Sequence, residues 1–347
     1  MRIYDCGFDQ ATSLEFGGYV GAGATPTFSY PTPGLKGITG TRSFKTQGNG
    51  FSGGQHSNWH NFGNKTEVFF RFRGKWTDGG GATVNIGFQL EDSAGNNIFK
   101  LDGDYSGTLA ATIGDATSGG SATGTLVSGV TALVEGRVKI DSGAGEIEIK
   151  FDGVTVYTFS GDTDPNSRVN AYRLRILGGG RDDTYETDDV SVNDISGVVD
   201  NSWLGPGYLL YLAPNGNGDS SDMVGSDGNS TDNYLLVDDV PNDGDATFVS
   251  AAASGDKDNY ALASLPTLPA GATIRFVQPV AIAKRFTTAS DIDVGIKSDT
   301  TEDFAASQAL TTSYAMYRGE RYYVDPDDSA AWDETKVNAL TASVRAG

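Results

Sequence analysis

The chain has 347 residues, 38% of them hydrophobic, and a formal net charge of −20. The length allows two domains of ordinary size, and the hydrophobic content excludes global disorder. An acidic surface repels phosphate backbones and lipid head groups, so we expect neither a nucleic-acid partner nor membrane insertion.

Cys6 is the only cysteine of the sequence, so a disulfide within the chain is excluded. No apolar run follows Arg2, and a signal peptide would need one. We therefore expect no signal peptide and synthesis in a reducing cytoplasm.

The first 200 residues have a hydrophobic period of two. Residues 67–73, 84–90 and 137–141 alternate apolar and polar side chains, which predicts strands with one buried face. Residues 147–151 and 154–157 alternate around Asp152-Gly153, which predicts a hairpin with a type I′ turn. Further strands are predicted at 172–177 and 189–195. Many short antiparallel strands of this kind indicate a sandwich or jelly roll.

Glycine-rich segments near residues 197 and 205–207 predict a domain boundary, with one domain at 1–198 and a second, smaller domain at 199–347. Strands are predicted at 208–212, 234–237, 274–282, 292–296 and 313–318. The polar residues 214–233 are predicted to form a surface loop. Asp333 is a good N-cap for a short helix within 336–342. The predicted fold class is all-β, with two β-sandwich or jelly-roll-like domains and one short helix near the C-terminus.

Residues 53–62 contain both histidines and a tryptophan. A zinc site at an i, i+4 histidine pair needs a helix, which the glycines and asparagines here disfavour. A tryptophan among polar side chains can stack on a sugar ring, so Trp59, His56 and Asn58 are candidate carbohydrate-binding residues. Packing of Trp59 at a strand edge is the alternative.

Asp162, Asp164 and Asn166 have a spacing that can bind calcium, because that ion takes several oxygen ligands from loops. Ser167 and Arg173 stand where an EF-hand needs glycine and glutamate, so an EF-hand is excluded. A different calcium loop and a solvated turn remain the two interpretations. No other cofactor is expected.

Glu146 and Glu148 point to one face of a predicted strand, and two such carboxylates can hydrolyse a glycosidic bond. The pattern resembles the acidic strand of laminarinase-like glucanases, but Lys150 occupies the third position. The sequence has no Walker loop, dinucleotide fingerprint or nucleophile elbow. We therefore predict no catalytic residues and no enzymatic activity.

Residues 3–9, 151–154 and 187–192 resemble the opening, a hairpin and the closing strand of concanavalin A-like or laminin-G-like jelly rolls. The resemblance covers about residues 1–196. It implies a lectin-like module, although folds of this type serve as binders, enzymes and plain architecture.

Segments of the C-terminal part are similar to tail-fibre and minor structural proteins of phages, namely residues 201–205, 212–218, 255–260, 310–314, 324–327 and 331–340. The resemblance implies a non-enzymatic structural component of a virion, such as a tail fibre, head fibre or capsid decoration. It would be made in the host cytoplasm and would contact other virion proteins and copies of itself, as a homo-oligomer. The alternative is a carbohydrate-binding adhesin that recognises a host surface glycan.

Overall fold

The computed structural model describes residues 1–10, 13–15, 18–21, 27–31, 34–35, 41–47, 56–79, 86–103, 109–115, 117–178, 183–286 and 290–347. The chain separates into two compact units, residues 1–210 and residues 211–347. The domain division predicted at residues 198 and 199 stays a prediction.

The described part of the first unit is built from short strands, with a 3-10 helix at Ser13–Glu15. The strands in its described part are β1 (Arg2–Cys6), β2 (Gly18–Gly21), β3 (Thr27–Ser29), β4 (Phe44–Gln47), β5 (His56–Lys65), β6 (Glu67–Thr77), β7 (Ile86–Glu91), β8 (Asn97–Gly103), β9 (Ala110–Ile113), β10 (Thr117–Ser121), β11 (Thr131–Lys139), β12 (Gly145–Phe151), β13 (Val154–Gly161), β14 (Ala171–Gly178) and β15 (Thr184–Asp194).

These strands form two antiparallel sheets. The eight-stranded sheet has the order β13-β12-β11-β6-β15-β4-β3, with β1 also paired to β15. The seven-stranded sheet has the order β10-β9-β8-β7-β14-β5-β2. Neighbours in both sheets are often far apart in sequence, as where β14 lies between β5 and β7. The two sheets pack on one hydrophobic core, so the predicted β-sandwich is confirmed in the first part of the chain.

Alternating side chains of the two sheets build this core. Phe70 on β6 meets Phe88 on β7 edge to face, with ring centroids 5.3 Å apart, and Phe99 and Tyr157 continue the aromatic contacts. Trp76 is 1% exposed, and its Nε1 donates a hydrogen bond of 2.7 Å to the Leu177 carbonyl of the other sheet. Each fully buried phenylalanine contributes roughly 1.5–3 kcal/mol.

The hairpin of β12 and β13 turns at Asp152-Gly153, where φ is +49° and +81°. Two positive φ angles are what a type I′ turn requires, so this turn was correctly predicted. Ile147, Ile149 and Phe151 are buried, and the residues between them are partly exposed, as the alternation indicated.

The second unit is also mostly β. Its strands are β16 (Pro214–Ser221), β17 (Val224–Gly225), β18 (Val249–Ser250), β19 (Lys257–Leu262), β20 (Val280–Ala283), β21 (Asp291–Ser298), β22 (Thr301–Phe304), β23 (Gln308–Ala309), β24 (Ala315–Arg318) and β25 (Thr341–Ala346). A 3-10 helix lies at Asn233–Leu236 and an α-helix, α1, at Glu334–Ala339. The main sheet has the order β16-β19-β25-β21-β22, with β23 paired to β21, and β17–β18 and β20–β24 are separate pairs.

Helix α1 was correctly predicted in type and cap. The Asp333 side chain accepts a hydrogen bond of 2.9 Å from the Lys336 amide. Trp332 is 5% exposed and donates from Nε1 to the Tyr322 carbonyl at 2.8 Å, which ties the start of the helix to the core of this unit. The predicted fold class, all-β with one short α-helix near the C-terminus, is confirmed.

Three secondary-structure predictions between residues 208 and 237 were wrong. Residues 208–212 form no strand, because the Leu209 amide donates to Asp189 Oδ1 (2.7 Å) instead of to a neighbouring strand. Part of the predicted loop 214–233 is the edge strand β16, whose polar composition concealed it. Residues 234–237 fall in a 3-10 helix region, where Asn233 is buried and donates from Nδ2 to Asp258 Oδ2 at 2.6 Å.

Within the described residues, none of the helices has both the length and the apolar composition that crossing a membrane requires.

Candidate functional site

The seven-stranded sheet has one core face and one outer face. Asn58, Ile176, Phe88, Leu101 and Ala111 lie opposite one another on β5, β14, β7, β8 and β9, and each is at most 3% exposed. Successive side chains of a strand point to opposite faces, so the residues immediately before and after each of these five point outward.

These outward residues form a row across five strands, which we call the outer row. Its members are Trp59, Arg175, Gln89, Lys100 and Thr112, each directly opposite the next. All five side chains are partly exposed. One aromatic ring and four hydrogen-bonding side chains are thus held side by side on a surface whose opposite face is the packed core.

Trp59 lies towards the β2 edge of the outer row. The residue opposite it on β2 is Gly18, which has no side chain to cover the indole. On the other side, Arg175 donates from Nε to Ser57 Oγ at 2.7 Å, and this bond fixes the guanidinium beside Trp59. The guanidinium beside Trp59 therefore has a defined position without any ligand.

The other two predicted carbohydrate-binding residues are placed differently. Asn58 is fully buried on the core face, and its side-chain Nδ2 and Oδ1 have no hydrogen-bond partner among the described residues. His56 begins β5 and pairs with Gly178, but its side chain lies outside the described residues. Sugar binding by Trp59, His56 and Asn58 stays a prediction.

His60 also points into the core. It is fully buried, and its Nδ1 lies 2.8 Å from the Tyr4 hydroxyl. Its ring meets those of Tyr4 and Phe8 edge to face. Burial lowers the pKa of His60 to about 3, because the charged imidazolium would lose its hydration. The ring is therefore neutral at physiological pH.

The predicted calcium residues form a polar turn after β13. Asp162 Oδ1 accepts from the Asp164 amide at 2.8 Å, and Asn166 Oδ1 accepts from the Asp115 amide at 2.9 Å. The described residues contain no group of three or more His, Cys, Asp or Glu side chains that could hold a metal ion. Calcium binding at Asp162, Asp164 and Asn166 stays a prediction.

Glu146 and Glu148, the carboxylates considered for glycoside hydrolysis, lie on the outer face of the eight-stranded sheet. Glu146 Oε2 pairs with Arg137 Nη1 at 2.6 Å, and Glu148 Oε1 lies 3.5 Å from Lys150 Nζ. Thr155 also donates to Glu148, at 3.0 Å. Both carboxylates are thus engaged by neighbours on the sheet.

Residues 203–209 run over the same outer face, and we call them the covering segment. Lys150 Nζ lies 3.7 Å from the centroid of the Trp203 ring, and Trp203 meets Phe69 edge to face at 5.8 Å. The Gly205 amide donates to Glu135 Oε1 at 2.8 Å, and its carbonyl accepts from Arg71 Nη1 at 3.0 Å. The covering segment therefore occupies part of the outer face of the eight-stranded sheet.

The second unit has a polar pocket of about 570 Å³. Five of its charged side chains are paired: Lys336 Nζ lies 3.2 Å from Asp325 Oδ2 and 2.6 Å from Asp328 Oδ2, and Lys297 pairs with Asp219. Hydrogen bonds from Lys336 hold the pKa of Asp328 below its usual value. The ion pairs of Lys336 join α1 to the loop before it, and the other pair joins β16 to β21.

No family model matches the chain, and no curated protein matches it. Solved structures resemble it over about half its length. The cellulose-induced protein Cip1 is 16% identical with a TM-score of 0.44, over 58% of this chain and 99% of that one. The alginate lyase Aly36B is 14% identical with a TM-score of 0.38, over 55% and 96%. The carbohydrate-binding module CBM66 from Bacillus subtilis is 10% identical with a TM-score of 0.33, over 52% and 97%.

These likenesses assign neither an activity nor a ligand to the chain, because the identities and TM-scores are low. They do correct one prediction. The exclusion of enzymatic activity was wrong, since a lyase is among the structures that this chain resembles. The exclusion had rested on missing sequence motifs, and a sandwich of this kind hosts many functions.

The sequence could not identify most of the outer row. Trp59 was found because it stands among polar residues, but Arg175, Gln89, Lys100 and Thr112 are distant in sequence and carry no motif. One usable signal was available in β5 itself: Asn58 and Trp59 are neighbours on a strand, so they point to opposite faces.

Proposed function

We propose that the first unit binds a glycan on the outer face of its seven-stranded sheet. The observation that supports this is the outer row, in which a partly exposed tryptophan is followed, one strand at a time, by Arg175, Gln89, Lys100 and Thr112. The face of an indole ring is electron-rich and packs on the C–H groups of a sugar ring. The neighbouring amide, hydroxyl and cationic groups donate and accept hydrogen bonds to sugar hydroxyls.

The test applies the full chain to an array of microbial surface glycans, followed by calorimetry on each glycan retained. Trp59→Ala should weaken binding by at least about tenfold, equivalent to about 1.4 kcal/mol. Phe286→Ala is the matched control, because Phe286 is an aromatic side chain that is 90% exposed in the second unit. The chain length of each glycan is also measured before and after incubation with the protein, because cleavage would shorten it and binding alone would not.

Retention of no glycan would overturn the proposal, as would binding that Trp59→Ala leaves unchanged. Circular dichroism of each variant shows whether a loss of binding comes from unfolding.

The virion setting is a separate proposal, supported by the sequence resemblance of residues 201–340 alone. Display in many copies would make weak contacts with a host glycan effective, since linked sites bind with higher avidity than one site. We also propose a homo-oligomer in this setting. Antibody labelling of purified particles in the electron microscope tests it, and the absence of label from head and tail would contradict it.

A further inference from the structure

The charges around the outer row are not balanced. Glu91 lies between two arginines, with its Oε1 3.1 Å from Arg175 Nη1 and its Oε2 3.1 Å from Arg173 Nε. One carboxylate therefore serves two guanidinium groups, and these three side chains together carry one net positive charge. The Glu91 side chain is 3% exposed, whereas those of Arg173 and Arg175 are 20% and 26% exposed. The two arginine side chains thus reach solvent, whereas the carboxylate side chain is almost fully buried.

Lys100, two strands further along, shows the same difference in burial between cation and carboxylate. Lys100 Nζ pairs with Asp102 Oδ2 at 2.8 Å, and the lysine side chain is 26% exposed against 9% for the aspartate. Here too the carboxylate lies deeper than the cation. Arg175 and Lys100 are both members of the outer row, so its accessible charges are positive.

This local excess of positive charge lies on a chain that is acidic as a whole. The whole chain carries a net charge of −20, which repels anionic ligands at long range. On the other sheet, Arg137 pairs with two carboxylates, Glu67 at 2.8 Å and Glu146 at 2.6 Å. There one arginine pairs with two acids, whereas Arg173 and Arg175 share Glu91. Lys45 and Lys75 share Glu186 in the same way elsewhere on that sheet.

The guanidinium of Arg175 is also oriented by hydrogen bonds in a way that allows it to bind an anion. Its Nε donates to Ser57 and its Nη1 to Glu91, and Nη2 has no hydrogen-bond partner among the described residues. Two bonds fix the plane of the guanidinium, so little side-chain freedom is lost when Nη2 binds a ligand. A charge-assisted hydrogen bond from such a group to a carboxylate is stronger than one between neutral groups.

We infer that the outer row selects an acidic oligosaccharide, one whose sugar rings carry carboxylates, and this inference rests on the proposed function. Adjacent strands are about 4.8 Å apart, so Trp59 and Arg175 can engage a ring and the carboxylate of the same or the next sugar. Lys100 lies three strands from Trp59, about 14 Å away, and meets a carboxylate further along the chain.

The test compares a short oligouronate with its carboxyl-reduced, neutral counterpart, which has the same linkages and length. Calorimetry on the full chain should give at least about tenfold tighter binding of the oligouronate at low salt, with the difference shrinking as salt is added. Arg175→Gln should remove most of this preference. Arg137→Gln is the matched control, because Arg137 is an ion-paired surface arginine of the other sheet.

The outcomes separate the two claims. Equal binding of both oligosaccharides, unaffected by Arg175→Gln but lost in Trp59→Ala, overturns the acidic preference and leaves glycan binding standing. Glycan binding itself is overturned only if no glycan is found whose binding is weakened by Trp59→Ala. If Arg175→Gln unfolds, Lys100→Gln takes its place, because Lys100 has one short ion pair at the same face. A sulfated oligosaccharide that replaces the oligouronate would overturn the assignment to carboxylates.

Discussion

Trp59 on β5 lies directly opposite Arg175 on β14, and both point away from the core that their neighbours Asn58 and Ile176 help to form. Directly opposed residues in an antiparallel pair have Cβ atoms about 4.5–5.5 Å apart, so the two side chains act on the same small area. This pairing joins an aromatic surface to a fixed cation on the outer row.

The buried His60 makes the stability of the first unit depend on pH. Its pKa in the folded protein is about 3, below the ordinary value of 6.5, so between these values protons bind the unfolded chain preferentially. The stability of the folded state is unaffected by His60 protonation above pH 6.5. Between pH 6.5 and about 3, the free energy of unfolding falls by roughly 1.4 kcal/mol for each unit that the pH drops. Urea unfolding at pH 7, 6 and 5 of the native protein and of His60→Gln measures it. Equal pH slopes for the two proteins would contradict a neutral buried imidazole.

Gly136 on β11 allows Phe70 to pack across the strand pair. A Cβ atom at position 136 would lie 2.1 Å from Phe70 Cζ, so Gly136→Ala must displace the ring. Overpacking of this kind costs about 1–3 kcal/mol, and we expect a loss of that size in denaturant unfolding. Gly143→Ala is the control, since no atom lies within 4 Å of the Cβ it would add. A loss at position 143 as large as that at 136 would contradict the steric account.

Trp203 holds the covering segment on the eight-stranded sheet. Trp203→Ala removes its contacts with Lys150 and Phe69, and we expect the first unit to lose about 1–2 kcal/mol. Hydrogen exchange of the Gly205 amide, which is bonded to Glu135, should become faster. Val198→Ala, at a side chain that is 94% exposed, is the control for both measurements. An unchanged exchange rate at Gly205 would show that Trp203 does not hold the segment.

Asp258 joins three parts of the second unit. Its carboxylate is fully buried and accepts hydrogen bonds from the Met223 amide, the Asn233 side chain and the Tyr260 hydroxyl. Burial, together with this carboxylate, raises the pKa of Tyr260, which keeps the hydroxyl protonated as a donor.

Removing the Asp258 carboxylate leaves three buried donors without their acceptor. Asp258→Ala should therefore destabilise the second unit by at least about 3 kcal/mol, measured by thermal unfolding. Asp232→Asn, at an exposed carboxylate in the same region, should have little effect. Similar melting temperatures for the two variants would contradict a structural role of Asp258.

The sequence predicted the local features of this fold better than its long-range ones. Alternation located β6, β7, the β12–β13 hairpin and the last three residues of β11, because burial of one strand face leaves a direct trace in the sequence. The edge strand β16 was missed, since a strand paired on one side needs no apolar alternation. The order of strands in the sheets leaves no such trace, so the alignment of Trp59 with Arg175 required the structure.

The most direct test of the account is an NMR titration of the four tryptophan indoles with the oligouronate. Trp59 faces solvent on the outer row, whereas Trp76 and Trp332 are buried and Trp203 lies on the other sheet. Trp59→Phe assigns its indole resonance. The account predicts that the Trp59 resonance shifts with added oligouronate and that the other three stay in place. Saturable binding that leaves the Trp59 resonance unmoved would contradict it.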